Sequence, residues 1–173
     1  MPASYQAPSR KDKEGQQTFS QTASSNLATG NATVQDLLDK KDGGIVSIAA
    51  SDTLSQAVGI LKEKRIGALM VTNSSGGLQG ILSERDIVRQ LADTPGQTLP
   101  QTVAENMTTK VQTCGPKDSL VSVLRTMTDG RFRHMPVMDG TKILGMVTIG
   151  DVVNFRLAEL EYEALRLKQM IVG

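Results

Sequence analysis

One pattern occurs twice in this chain of 173 residues, and no other feature constrains its fold as tightly. The first copy reads GGIVSIAASDTLSQAVGILKEKRIGALMVTNSSGGLQGILSERDIVRQLA, the second TTKVQTCGPKDSLVSVLRTMTDGRFRHMPVMDGTKILGMVTIGDVVNFRLA. A shift of 66 sets Asp52 on Asp118, Leu54 on Leu120, Arg65 on Arg131 and Val71 on Val137. After one deleted loop residue the shift becomes 65, pairing Gly80 with Gly145, Asp86 with Asp151 and Val88 with Val153. Matches spaced through two whole units mark an internal duplication. A unit of about 50 residues buries too little on its own, so the two copies are expected to share a core.

Within each copy the hydrophobic period changes in the same order. Residues 45–48 and 111–113 read as short strands. Asp52 and Asp118 stand where a helix N-cap belongs, ahead of Leu54, Ala57, Val58 and Leu61, or Leu120, Val123, Leu124 and Met127, at helical spacing. Residues 68–72 and 134–138 read as buried strands, followed by turns at 73–77 and 139–141 rich in Gly, Asn, Asp and Ser. Final strands at 78–82 and 143–148 run into helices starting at Glu84 and Ile149. The order is β-α-β-β-α twice, an α/β (α+β) fold. The implied organisation is a flexible polar tail over 1–32, repeat 1 over 33–93, a linker over 94–102 containing Pro95, Gly96 and Pro100, repeat 2 over 103–158, and a C-terminal helix extension over 159–173. In that last helix Val153, Leu157, Leu160, Ala164, Leu167 and Ile171 form an a/d seam, suited to covering the module or pairing with a second chain.

Composition removes several function classes. Nineteen basic against 18 acidic residues give a net charge of +1, which is no electrostatic footprint for nucleic acid or an anionic membrane. With no Trp and only five Tyr and Phe together, single-stranded nucleic acid would lack stacking platforms. One Cys and one His exclude an internal disulfide and make a zinc site within the chain implausible, so no metal is expected. No apolar run approaches the roughly 18 residues of a membrane span, and the N-terminus lacks a secretory core, so the expected location is cytoplasmic. There is no activated nucleophile, no Gly-rich phosphate loop and no spare carboxylate pair, so the chain is read as non-enzymatic, without a catalytic cofactor. Cys114 and the Met residues read as packing.

The chemistry lies at the strand-to-helix junctions, Gly80-x-x-Ser83-x-x-Asp86 and Gly145-x-x-Thr148-x-x-Asp151. Each puts a hydroxyl at a strand end and a carboxylate in the first helical turn. That is the form of a capping box. It also suits sugar capture: a carboxylate accepts both hydroxyls of a ribose diol, and the free N–H groups of a helix N-terminus favour an anion. The two roles are compatible, because a carboxylate offers about four lone-pair sites.

The duplicated order, each copy closing on Gly-x-x-[Ser/Thr]-x-x-Asp, resembles a pair of CBS (cystathionine-β-synthase) domains, together called a Bateman module, over residues 34–158. The run SERDIVR at 83–89 is similar to that of small stand-alone bacterial members. The resemblance implies a regulatory site for an adenine nucleotide (AMP, ADP or ATP), although NAD(H) or S-adenosylmethionine can use the same ribose acid. By that resemblance Asp86 and Asp151 are the ribose acids, with Ser83 and Thr148 as the hydroxyls. Adenine would pack against Gly44, Ile45 and Val46 or Lys110, Val111 and Gln112, and against Ile66, Gly67 and Ala68 or Phe132, Arg133 and His134. Lys110, Arg133 and His134 stand where the first copy has Gly44, Gly67 and Ala68, concentrating phosphate-binding charge near the second site, though phosphates in the family often cross the pseudo-two-fold axis. Arg65, Arg85 and Arg131 are looser candidates. The resemblance further implies a homodimer and an effector protein outside this chain. The competing reading keeps the fold and makes the protein a scaffold, its clefts unoccupied and its motifs acting only as caps.

Overall fold

The computed structural model describes residues 32–41 and 44–172, so the flexible tail expected from the sequence lies outside the described residues, except for its last position, Ala32. Helix α1 (Val34–Lys40) comes first, then β1 (Ser47–Ala49), α2 (Leu54–Lys64), β2 (Ala68–Thr72), β3 (Leu78–Ser83) and α3 (Glu84–Asp93). The second series is α4 (Val103–Asn106), α5 (Leu120–Gly130), β4 (His134–Asp139), β5 (Lys142–Thr148) and α6 (Ile149–Val172). β1 runs parallel to β2, and β2 pairs antiparallel with β3 in the order β1-β2-β3. β4 and β5 repeat the antiparallel pair, and the register matches: Ala68 faces Ser83 as His134 faces Thr148.

Two expectations are corrected. The strand read at 111–113 is absent; only Cys114 bridges, in parallel, to Val137. Beyond Cys114, the Gly115 amide turns to the Asp118 carboxylate at 2.8 Å, and Pro116 has no N–H to extend a ladder. Before it, β3 of the other repeat captures the chain, since Thr108 exchanges both backbone hydrogen bonds with Ile81 (2.9 and 3.0 Å). Asp52 and Asp118 are not the N-caps. Thr53 and Ser119, one residue on, accept from Gln56 N and Ser122 N. The aspartates instead close the preceding turn, accepting from Ala49 N and Gly115 N.

The cores do not follow the chain order. Val34 and Leu37 of α1 are buried among Leu120, Val123, Met127, Met135, Val137 and Val147 of the second repeat. Val103 of α4 is buried among Leu54, Leu61, Leu69, Val71 and Leu82 of the first. Each short helix therefore completes the core of the repeat it does not adjoin. Matching bonds seat them: Val103 N donates to Asp52 O and Leu54 N to Gln101 O, just as Val34 N donates to Asp118 O and Leu120 N to Ala32 O. In this frame Thr33 corresponds to Thr102, a shift of 69 rather than 66. The motif glycines make room for these segments. A Cβ on Gly80 would meet Thr108 O at 2.8 Å and Met107 Sδ at 2.9 Å; one on Gly145 would meet Leu38 Cδ2 at 3.2 Å.

Candidate functional site

At the β3–α3 junction the hydroxyl and carboxylate close a capping box. Asp86 Oδ2 accepts from Ser83 N at 2.8 Å and Ser83 Oγ at 2.6 Å, and the Ser83 side chain accepts from Asp86 N at 3.4 Å. Among the described residues, the hydrogen bonds to this carboxylate all fall on Oδ2. Glu84 N, first in the helix, is taken by Gly67 O at 2.9 Å. The remaining end of α3 opens into a cavity of about 620 Å³ between the repeats.

Repeat 1 contributes Gly67, Ile81, Ser83, Glu84, Arg85, Asp86 and Arg89 to its walls; the second half of the chain contributes Thr108, Lys110, Val111, Gln112, Gly130, Arg131, Phe132, Arg133 and His134. The acid of the first copy thus faces the adenine-side and cationic candidates of the second. The charge at Lys110, Arg133 and His134, which the sequence set nearer the second motif while allowing it to serve a ligand in either copy, lines the Asp86 cavity, and His134 also feels the Asp151 carboxylate. The charge gathers at Asp86 because the start of β4 and the swapped 108–112 segment lie against the β3–α3 junction. Arg89 and Glu84 were not singled out in the sequence, although both fall on the helix face of Asp86 or its flank. Five cationic side chains against two carboxylates make the cavity markedly positive.

Two local devices shape this charge. Arg131 sits at φ 57° at the C-cap of α5, and Arg65 at φ 54° at that of α2, a left-handed conformation costly for a side chain. Arg85 Nη1 donates to the Arg131 carbonyl at 3.0 Å, tying α3 of one repeat to the α5–β4 turn of the other. His134 lies so close to Gly67 that a Cβ there would stand 3.2 Å from its ring atoms. Burial lowers the His134 pKa below its ordinary value, against the opposing pull of Glu84 and Asp151, so the imidazole is neutral at neutral pH.

The remaining candidates, Gly44, Ile45, Val46, Ile66, Ala68, Thr148 and Asp151, do not line this cavity. At the β5–α6 junction Asp151 Oδ2 accepts from Thr148 N at 2.9 Å, and Asp151 N donates to Thr148 Oγ1 at 3.0 Å. The same Oδ2 lies 2.7 Å from Lys41 Nζ. Lys41 was missed in the sequence because a constant shift aligned Gly44 with Lys110; the swapped-helix shift of 69 makes Lys41 the counterpart of Lys110.

A family model for the CBS domain matches residues 34–93 and again 102–158. The chain belongs to the CBS-domain family. Its two repeats form a CBS pair with a C-terminal helix. A mitochondrial CBS domain-containing protein of Arabidopsis thaliana, CBSX3, is 32% identical over 151 residues, 83% of this chain and 73% of that relative. A crystal structure of a CBS-domain containing protein from Agrobacterium tumefaciens superposes with a TM-score of 0.71 at 36% identity, covering 74% of this chain and 96% of that one. A structure of CBSX2 in complex with AMP matches with a TM-score of 0.61 at 25% identity, covering 73% of this chain and 96% of that one. Among the described residues no group of His, Cys, Asp and Glu could hold a metal ion, and no helix is long and apolar enough to cross a membrane.

Proposed function

We propose that this CBS pair is a regulatory sensor, not an enzyme, and that it binds an adenine nucleotide in the Asp86 cleft. One observation carries the reading: the cavity joins a carboxylate at a helix N-terminus to Arg85, Arg89, Lys110, Arg131 and Arg133 contributed by both repeats. In this reading Asp86 and Ser83 take the ribose, Val111, Gln112 and Phe132 flank the base, and the cationic rim takes the phosphates. The excess of positive charge favours ADP or ATP over AMP. Because the ligand touches both repeats, its binding energy falls on their relative packing, which is what a partner chain would read. That CBSX2 was crystallised with AMP supports an adenine ligand.

Self-association fits the same role. Val153, Leu157, Leu160, Leu167 and Ile171 of the a/d seam are all exposed on α6, which buries only Val152 within its own chain. The proposed active form is a homodimer joined along this helix, acting in the cytoplasm on an effector protein.

The formed capping box at Ser83–Asp86 favours the scaffold reading equally well, so the test must separate the two. A thermal-shift panel of AMP, ADP, ATP, NADH, S-adenosylmethionine and GTP does so. A ligand at about 100 times its Kd stabilises by about 2.7 kcal/mol. Stabilisation by an adenine nucleotide, lost in Asp86→Ala, is the expected result. No shift with any compound, in protein shown to be free of co-purified nucleotide, leaves the scaffold.

A further inference from the structure

The two junctions are alike in sequence, yet different groups face their carboxylates. At the first, α4 ends after four residues and the chain returns to pair Thr108 with Ile81. At the second, α1 runs for seven residues, and no such bridge forms among the described residues. The Lys41 side chain stands in: its Nζ donates to Met146 O, the counterpart of Ile81, at 2.9 Å, and to Asp151 Oδ2 at 2.7 Å. At Asp86 the corresponding oxygen takes the Ser83 hydroxyl instead.

The root of this lysine is held firmly. Leu37 of α1 is buried in the second core, and Lys40 Nζ sits 4.4 Å from the centroid of the Phe155 ring on α6. The ion pair is only partly exposed, 33% for Lys41 and 26% for Asp151, so solvent and salt screen it less than a surface pair. Its counterpart Lys110 lines the open Asp86 cleft and, among the described residues, forms no ion pair.

We propose that Lys41 closes the Asp151 cleft to nucleotides, so that each chain takes one nucleotide, at Asp86; this rests on the nucleotide reading above. A ribose diol needs the carboxylate as acceptor, and here that acceptor is already neutralised by an ammonium donor. A diol that displaces Lys41 from Oδ2 must break two charge-assisted bonds, one to Asp151 and one to Met146 O. Stoichiometry measured by calorimetry and native mass spectrometry, with AMP and with ATP in separate titrations, tests this. The expected values are one nucleotide per chain for the parent and for Lys41→Arg, which keeps the cation, two for Lys41→Met, none for Asp86→Ala, and one again for Lys41→Met combined with Asp86→Ala. Asp86→Ala binding one nucleotide that is lost when Asp151→Ala is added would show the Asp151 cleft open with Lys41 in place and overturn the proposal while leaving nucleotide binding intact. So would Lys41→Met remaining at one, or Lys41→Arg rising to two. Failure of every chain to bind either nucleotide removes the nucleotide reading itself, and this inference with it.

Discussion

Asp86→Ala perturbs two things whose sizes can be told apart. As a cap, Asp86 holds Ser83 N and Oγ at 2.8 and 2.6 Å. Losing such a box costs about 1 kcal/mol, with a usual span of about 0.5–2. For a folded body of this size that lowers the midpoint by about 3–5 °C. As a ribose acceptor, the carboxylate would make two hydrogen bonds to the diol, each worth about 1.5–3 kcal/mol because the acceptor is charged. Losing both weakens binding by at least about a hundredfold, since each 1.4 kcal/mol is tenfold. The control lies outside the cleft: Glu105 closes the same kind of box on Thr102 N and Oγ1, both at 2.8 Å, at the start of α4. Melting curves and ATP calorimetry on Asp86→Ala and Glu105→Ala give the comparison. Both variants should melt earlier, and only Asp86→Ala should lose ATP. If the two retain ATP equally, Asp86 is a cap and nothing more.

Gly67→Val drives a side chain into the His134 ring, 3.2 Å from the Cβ position, so it should weaken ATP binding and lower the midpoint together; unchanged calorimetry would show that the ring has room to move. Burial holds the His134 pKa below its ordinary 6.5, so the unfolded chain binds a proton that the folded one refuses, and stability contributed by the neutral ring is lost as pH falls through 6.5. Melting between pH 7.5 and 5 should therefore be flatter for His134→Gln than for the parent. Arg65→Gly should relieve a left-handed residue and raise stability by about 1 kcal/mol, seen as a higher melting midpoint, without touching binding, whereas Arg131→Gly relieves the same strain but should weaken ATP several-fold. Equal binding by these two variants would remove Arg131 from the phosphate set. Ending the chain after residue 158 deletes the exposed seam from Leu160 onward and should convert the proposed dimer to monomer in sedimentation velocity; a full-length chain that sediments as a monomer would remove the dimer, and a dimer unchanged by the truncation would move the interface elsewhere.

The sequence made the strands and main helices legible because their periods repeat: β2, β3, α3, β5 and the first residue of α6 fall where the patterning puts them. Short elements were opaque. α4 has four residues, less than a full amphipathic cycle, and no periodicity marks it or α1 as belonging to the other repeat's core. The site was half legible for the same reason. Its motifs name Ser83 and Asp86, but which repeat supplies the opposing charge depends on the swap, and so does the place of Lys41. The strand expected at 111–113 failed because a local β pattern does not reveal that β3 claims the preceding residues through Thr108.

The exchanged helices also bear on synthesis. When the first repeat leaves the ribosome through α3, its core still lacks Val103, so the half-made chain cannot close until the segment beyond the linker has emerged. The second repeat in turn waits on Val34 and Leu37, made long before it. Neither half is an autonomous folding unit, and severing the chain between residues 94 and 102 should leave two fragments that become ordered only on meeting each other.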